Sequence, residues 1–130
     1  LRRKRKIRIK NHEPRAKTNV LILGFWLLNP NVIMKSIMII FNQANTERVE
    51  YMLDMLEIRG FTFFEDVQGR GSKNGEPRRG THAWPEMNSC VITIVPDEKA
   101  PMLLEAVKKL DKRNEEVGVR AFMWNVEATV

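Results

Sequence analysis

The chain predicts an α+β sandwich, and three observations in its 130 residues carry that prediction. Four short apolar, β-rich runs are separated by two stretches with helical spacing. The order is strand, helix, strand, strand, helix, strand. No apolar run approaches the roughly twenty residues needed to cross a bilayer. A chain of this length suggests one domain of ordinary size, long enough to bury a core.

Residues 37–41 (IMIIF) are apolar at every position, so the first strand is expected to be buried on both faces. Asn45 or Thr46 is placed to cap the helix that follows, and Glu47 suits its first turn. Val49, Met52, Leu53 and Leu56 recur at i, i+3, i+4 and i+7. Gly60 is expected to close this helix as its C-terminal glycine. Residues 61–68 (FTFFEDVQ) are aromatic and β-branched enough for the second strand. Residues 89–95 (SCVITIV) make the third, with Val91 and Val95 on one side and Cys90, Ile92 and Ile94 on the other. Pro96 ends it and Asp97 offers a cap for a helix that turns Leu103, Val107 and Leu110 inward and runs to about residue 114. Pro101 makes its first turn irregular or delays its start to Ala100. Residues 119–126 (VRAFMWNV) form the fourth strand, with Phe122 and Trp124 opposite in sense to Ala121 and Met123.

That order is the split βαβ, or ferredoxin-like, pattern. Its two helices cover one face of an antiparallel sheet and leave the other bare. The first, third and fourth strands are apolar on both faces, so a monomer would expose a sizeable hydrophobic patch. The bare face is therefore expected to be buried against other subunits, and Ile39 is placed on that outward side.

The net charge of +6 is unevenly distributed. Residues 1–35 hold ten Lys/Arg and one acid (+9), leaving twelve Lys/Arg against fifteen acids (−3) for residues 36–130. An argument from basicity to nucleic acid applies to the tail alone, and no nucleic acid is expected for the folded domain. Residues 1–19 are a charge run without periodicity and read as disordered. Residues 20–28 (VLILGFWLL) leave three readings: a signal-like stretch lacking a small-residue cleavage site, an interfacial anchor, or sequence preceding a true start at Met34. The third is preferred, which makes 34–130 the domain and 1–33 dispensable for folding.

A single cysteine, Cys90, rules out an internal disulfide and fits a reducing, cytoplasmic setting. In its apolar run a buried, inert thiol is favoured over a nucleophile. No CxxC, HExxH, Walker or GxSxG pattern occurs, so an enzyme is not expected.

Between the second and third strands lies GRGSKNGEPRRGTHAW, residues 69–84, with four glycines and the cations Arg70, Lys73, Arg78 and Arg79. A loop of this length without secondary structure of its own is usually functional or disordered. Two readings stand: a working loop that faces an anion, or a solvated hairpin tip. His82 can serve as a metal ligand or a pH switch. With Cys90 eight residues on, it makes a poor metal motif. Trp84 can stack on a base or pack at a subunit interface.

Several stretches resemble the PII nitrogen-regulatory signalling family in order and spacing. KSIMII (35–40) is similar to its first strand, and VQGRG (67–71) to its strand running into a VxGxG turn. Residues 78–84 are similar to its YRGAEY segment, with Arg79 and Gly80 matching the central RG. IVPDE (94–98) is similar to its VVPDE, and FMWNVE (122–127) to its FVxPVE strand. The resemblance implies a homotrimer of ferredoxin-like subunits that binds an adenine nucleotide (ATP, ADP or AMP) in intersubunit clefts. It also implies a loop whose change of shape regulates a target protein, an enzyme or a membrane transporter. The implied nucleotide contacts are Gly69, Arg70, Gly71, Arg79, Gly80, Thr81 and Arg120. The regulatory loop comprises Ser72, Lys73, Asn74, Gly75, Arg78, His82 and Trp84.

Two departures limit the likeness. Arg78 stands where some members carry a tyrosine that is nucleotidylated, so covalent control at that position is not expected. EEVG (115–118) replaces the glycine-rich GDGK loop that contacts phosphates, and its two acids repel them. A second reading is a divalent-metal-binding trimer similar to the cation tolerance proteins, with His82 as a ligand. An enzyme would need a convergent acid/base set that the scattered His82, Cys90 and carboxylates do not form.

Overall fold

The computed structural model describes residues 32–71, 74–113 and 118–130. The basic stretch and residues 20–28 lie outside the described residues. Within the unit Ile33–Val130, β1 (Met34–Asn42) leads through a 3-10 turn into α1 (Thr46–Met55) and then β2 (Thr62–Val67). Two short strands follow, β3 (Gly69–Arg70) and β4 (Pro77–Arg78). The chain ends with β5 (Asn88–Pro96), α2 (Ala100–Arg113) and β6 (Val119–Val126). The main sheet has the order β2-β5-β1-β6, antiparallel at every junction. This is the ferredoxin-like arrangement that the element order predicts.

β1 and β5 are the two inner strands, flanked by β2 and β6. β1 pairs with β5 from Met34↔Pro96 to Asn42↔Asn88 and with β6 from Met34↔Val126 to Phe41↔Val119. Side chains alternate across a strand, and the odd-numbered set Ile37, Ile39 and Phe41 is fully buried. It joins Val91, Val95 and Val119 of the sheet with Val49 and Leu53 of α1 and Ala100, Leu103 and Val107 of α2 in one core. Ile39 thus faces the helices, contrary to its expected outward position. With both parities of IMIIF apolar, the register with the helices decides which set turns inward.

The even-numbered set forms the other face. Register places Phe64 beside Cys90 and Ile40, Ile92 beside Met38 and Phe122, and Ile94 beside Ser36 and Trp124. Phe64, Ile94, Phe122 and Trp124 remain 46 to 54 % exposed there. Neither α1 nor α2 covers them.

The helix ends show where local rules were overridden. Asn45 sits at the N-cap of α1 without a capping bond from its side chain; its Oδ1 instead accepts from Arg48 Nη1 at 3.1 Å. At the other end Glu57, not Gly60, takes the left-handed position, with φ 58°. Ile58 N–H donates to Leu53 C=O at 2.9 Å and Glu57 N–H to Asp54 C=O at 3.0 Å, the paired bonds of a Schellman closure. Burial of Ile58 and the Lys99 Nζ donations to the Leu56 and Glu57 carbonyls (3.0 and 3.2 Å) hold the glutamate in a conformation that glycine adopts more readily. α2 starts at Ala100, so Pro101 falls in the first turn, where its missing N–H leaves no bond unmade.

A candidate ligand site at the loop base

One end of the sheet gathers the close of β1 at Asn42, the start of β5 at Asn88 and the entry to β6 at Gly118. The long loop springs from this end. It is not without structure: Gly69↔Arg78 and Arg70↔Pro77 pair as a two-residue antiparallel ladder. A Cβ on Gly75 would lie 3.0 Å from the Gly71 backbone, so the arms beyond the ladder approach closely and a larger residue there would push them apart by a few tenths of an ångström.

The returning arm is folded on itself. Gly80 N–H donates to Glu86 C=O at 3.2 Å, and Thr81 N–H to Trp84 C=O at 2.9 Å. Trp84 N–H donates to Thr81 Oγ1 at 3.1 Å. Gly80 has φ 65°, the left-handed region that favours glycine, and a Cβ there would meet the Met87 sulfur at 2.7 Å and displace that side chain. Gln43 N–H donates to Met87 C=O at 3.0 Å, which ties this arm to the β1–α1 junction.

Arg78 lies at the centre of the base. Its Nη1 donates to Asn88 Oδ1 at 2.7 Å, and its Nε stands 3.6 Å from Glu86 Oε2, with the arginine side chain only 19 % exposed. Asn42 Nδ2 donates to the same Glu86 oxygen at 2.9 Å. A Cβ on Gly69 would be 3.2 Å from Asn88 Nδ2, and one on Gly118 3.9 Å from Arg78 Nη2. The charge-assisted bond to Asn88 contributes about 1.5–3 kcal/mol. The pair with Glu86 adds less, because that carboxylate is largely solvated. Arg78, assigned to the regulatory loop, stands at the loop's base in these contacts.

The other expected residues separate into groups. Gly69 belongs to the base, while Arg70, Gly71, Asn74 and Gly75 lie further out along the hairpin; Ser72 and Lys73 lie outside the described residues. Arg79 is exposed, and no hydrogen bond or ion pair engages it among the described residues. Gly80, Thr81 and Trp84 form the folded turn, from which exposed His82 projects. Arg120 is committed elsewhere: its Nη1 donates to Asp111 Oδ2 of α2 at 2.7 Å, while Asp111 Oδ1 accepts from Val119 N–H at 2.9 Å. In the EEVG segment Gly118 is described, with φ 62°, and residues 115–117 lie outside the described residues.

Sequence reasoning missed Asn42, Glu86 and Asn88. The available signal was a pair of asparagines flanking apolar strands, each more than 90 % buried here and directly opposed in register. Burial pushes the Cys90 thiol up from its ordinary pKa, which suits a buried, inert thiol and not a thiolate nucleophile. Among the described residues no three His, Cys, Asp or Glu side chains come together to hold a metal ion. No helix among them is long and apolar enough to cross a membrane.

What the site offers is a hydrogen-bonded polar base, glycines that admit close backbone approach, and the exposed arginines Arg70 and Arg79 on the loop that springs from it. These are features of a small ferredoxin-like domain that carries a polar cluster and a long glycine-rich loop at one end. Within that class, the chain belongs to the family described as nitrogen regulatory protein P-II, a family of regulatory signalling proteins whose sequence pattern matches residues 34–130. Solved structures share the fold. CPII, a nitrogen regulatory PII-like protein from Thiomonas intermedia K12 bound to ADP, AMP and bicarbonate, is 22 % identical. It superposes with a TM-score of 0.61 over 72 % of this chain and 86 % of its own. A PII-like signaling protein from Thermus thermophilus is 23 % identical, with a TM-score of 0.52 over 73 % of this chain and 88 % of its own. GlnK from B. subtilis in complex with ATP is 19 % identical, with a TM-score of 0.54 over 75 % and 87 %. No curated protein sequence matches the chain.

Proposed function

We propose that residues 34–130 are a PII-like signalling domain that acts as a homotrimer in the cytoplasm. It binds an adenine nucleotide in intersubunit clefts at the loop base and passes that binding to a target protein, an enzyme or a membrane transporter, through the shape of its loop. Nitrogen status is the signal this reading favours. The observation that carries it is the convergence of Gly69, Arg78, Asn88 and Gly118 at one end of the sheet, next in the chain to the exposed Arg79. A hydrogen-bonded base with an exposed cation beside it in the chain gives an anionic effector a place to dock and a loop to order. The nucleotides in the Thiomonas and B. subtilis structures support the choice of ligand class.

Ordering a loop costs about 1–2 kcal/mol per fixed residue, so it follows only where charged contacts offset that cost. Arg79 is assigned this role, with the planar fork that matches phosphate. Calorimetric titration of the full chain with ADP, AMP and ATP, with and without bicarbonate, tests the assignment. Arg79→Ala is expected to weaken affinity about ten- to a hundredfold, since each 1.4 kcal/mol is tenfold. Arg79→Lys should recover only part, because the fork is lost. Unchanged affinity for every nucleotide in Arg79→Ala would remove the anion-sensing role from the loop.

A further inference from the structure

On the helical side of the domain, away from the open sheet face, α1 and α2 lie next to each other with little backbone approach between them. They leave a groove of about 800 Å³. Met52, Leu56, Ala106 and Leu110 contribute to its lining and are half-buried against the core or beside it. Tyr51 and Met55 also line it and remain 66 % and 64 % exposed. α1 already buries Val49 and Leu53, so the core makes no use of these two. Methionine and tyrosine are side chains that adapt readily to an incoming surface.

The charges along the groove are arranged by the topology. Because every neighbouring strand pair is antiparallel, α1 begins and α2 ends at the same end of the sheet, the end that carries the loop base. Arg48 in the first turn of α1 and Lys109 and Arg113 near the end of α2 line the groove there, and among the described lining residues Glu47 is the one acid. The groove is thus apolar along its length and cationic at one end.

We propose that this groove docks an amphipathic helix of another protein, one with an apolar stripe and acidic residues toward one end. α1 is ten residues long, about 15 Å at 1.5 Å per residue, which suits two to three turns of a partner helix laid in the groove. A small anion would leave the apolar length unused. A second copy of the groove brings the same cations against these, and the basic residues 2–10 of this chain carry the wrong sign as well. This surface adds a mode of target engagement that does not depend on the loop or its effector.

The test is fluorescence anisotropy with the full chain and no nucleotide, which separates its outcome from that of the effector reading. The probes are labelled helical peptides of about 14 residues with leucine at i, i+3, i+4 and i+7 and glutamates toward either end. Their lysine-substituted counterparts and a peptide copying residues 2–10 serve as comparisons. An acidic peptide should bind in the micromolar range, and more weakly as salt rises from about 0.05 to about 0.5 M. Lys109→Glu with Arg113→Glu should weaken it tenfold or more, and Met55→Gln severalfold. All three are exposed positions. The lysine peptides and the residue 2–10 peptide should not bind. Equal binding of acidic and lysine peptides, no acidic peptide binding below millimolar, unchanged affinity in the Lys109/Arg113 double variant, or preference for the residue 2–10 peptide would each overturn the proposal.

Discussion

Ile39 and Phe122 stand on adjacent strands, and both belong to runs apolar at nearly every position, yet Ile39 is fully buried and Phe122 is 54 % exposed. The first lies under α1 and α2; the second shares the face that neither helix covers with Phe64, Ile94 and Trp124. Hydrophobicity alone does not distinguish the faces, since each would contribute if removed from water, at about 25 cal/mol per Å². What differs is the partner. The helix-covered face finds its partner within the chain, and we read the open face as finding its own in other subunits, where the clefts assigned to the effector would form.

The sharpest way to break this comparison is to place one charge on each face. Ile39→Asp buries an unpaired carboxylate in the core, a cost of several kcal/mol against a typical domain stability of about 5–15. Loss of the folded circular-dichroism spectrum and of a cooperative melt is the expected outcome. Phe122→Asp places the same charge on the open face. It should dissociate the assembly while the monomer keeps its secondary structure, as read by light scattering beside circular dichroism. If both variants unfold alike, or if Phe122→Asp changes neither mass nor melting, the two faces are not used as described.

Smaller effects sharpen the account of the covered face. Thr93 Oγ1 donates to the Gly60 carbonyl at 2.6 Å, whereas the Ser89 hydroxyl, on the same face nearer the start of β5, has no partner among the described residues. Thr93→Val should cost about 1–2 kcal/mol by leaving that carbonyl unpaired. Ser89→Ala should be neutral or slightly stabilising, within about 1 kcal/mol, because it removes a buried hydroxyl that makes no bond. Urea denaturation of the full chain measures both, and a Ser89→Ala loss as large as that of Thr93→Val would mean the serine hydroxyl is in fact paired.

The element order and most strand positions were legible in the sequence, because apolar periodicity reports burial directly. Residues 119–126 form β6 with the expected boundaries. The parity of β1 was not legible, since a strand apolar on both faces carries no mark of which set meets the helices. Glu57 was hidden because the Lys99 donations to the carbonyls at the helix end come from some forty residues further along the chain. Gly60 offered a better local signal and played no such part. The loop base was only partly legible: Gly69 and the arginines stood out by composition. The anchoring of Arg78 depends on Asn42, Glu86 and Asn88, which meet it only when β1 and β5 pair.

The most direct test is the mass of the full chain in solution at micromolar concentration, by light scattering coupled to size exclusion. The account predicts a stable species of three times the 15.2 kDa chain mass, reduced to one chain by Phe122→Asp. A stable 15.2 kDa monomer of the unaltered protein would contradict it, leaving the open face without its partner and the intersubunit clefts without a second wall.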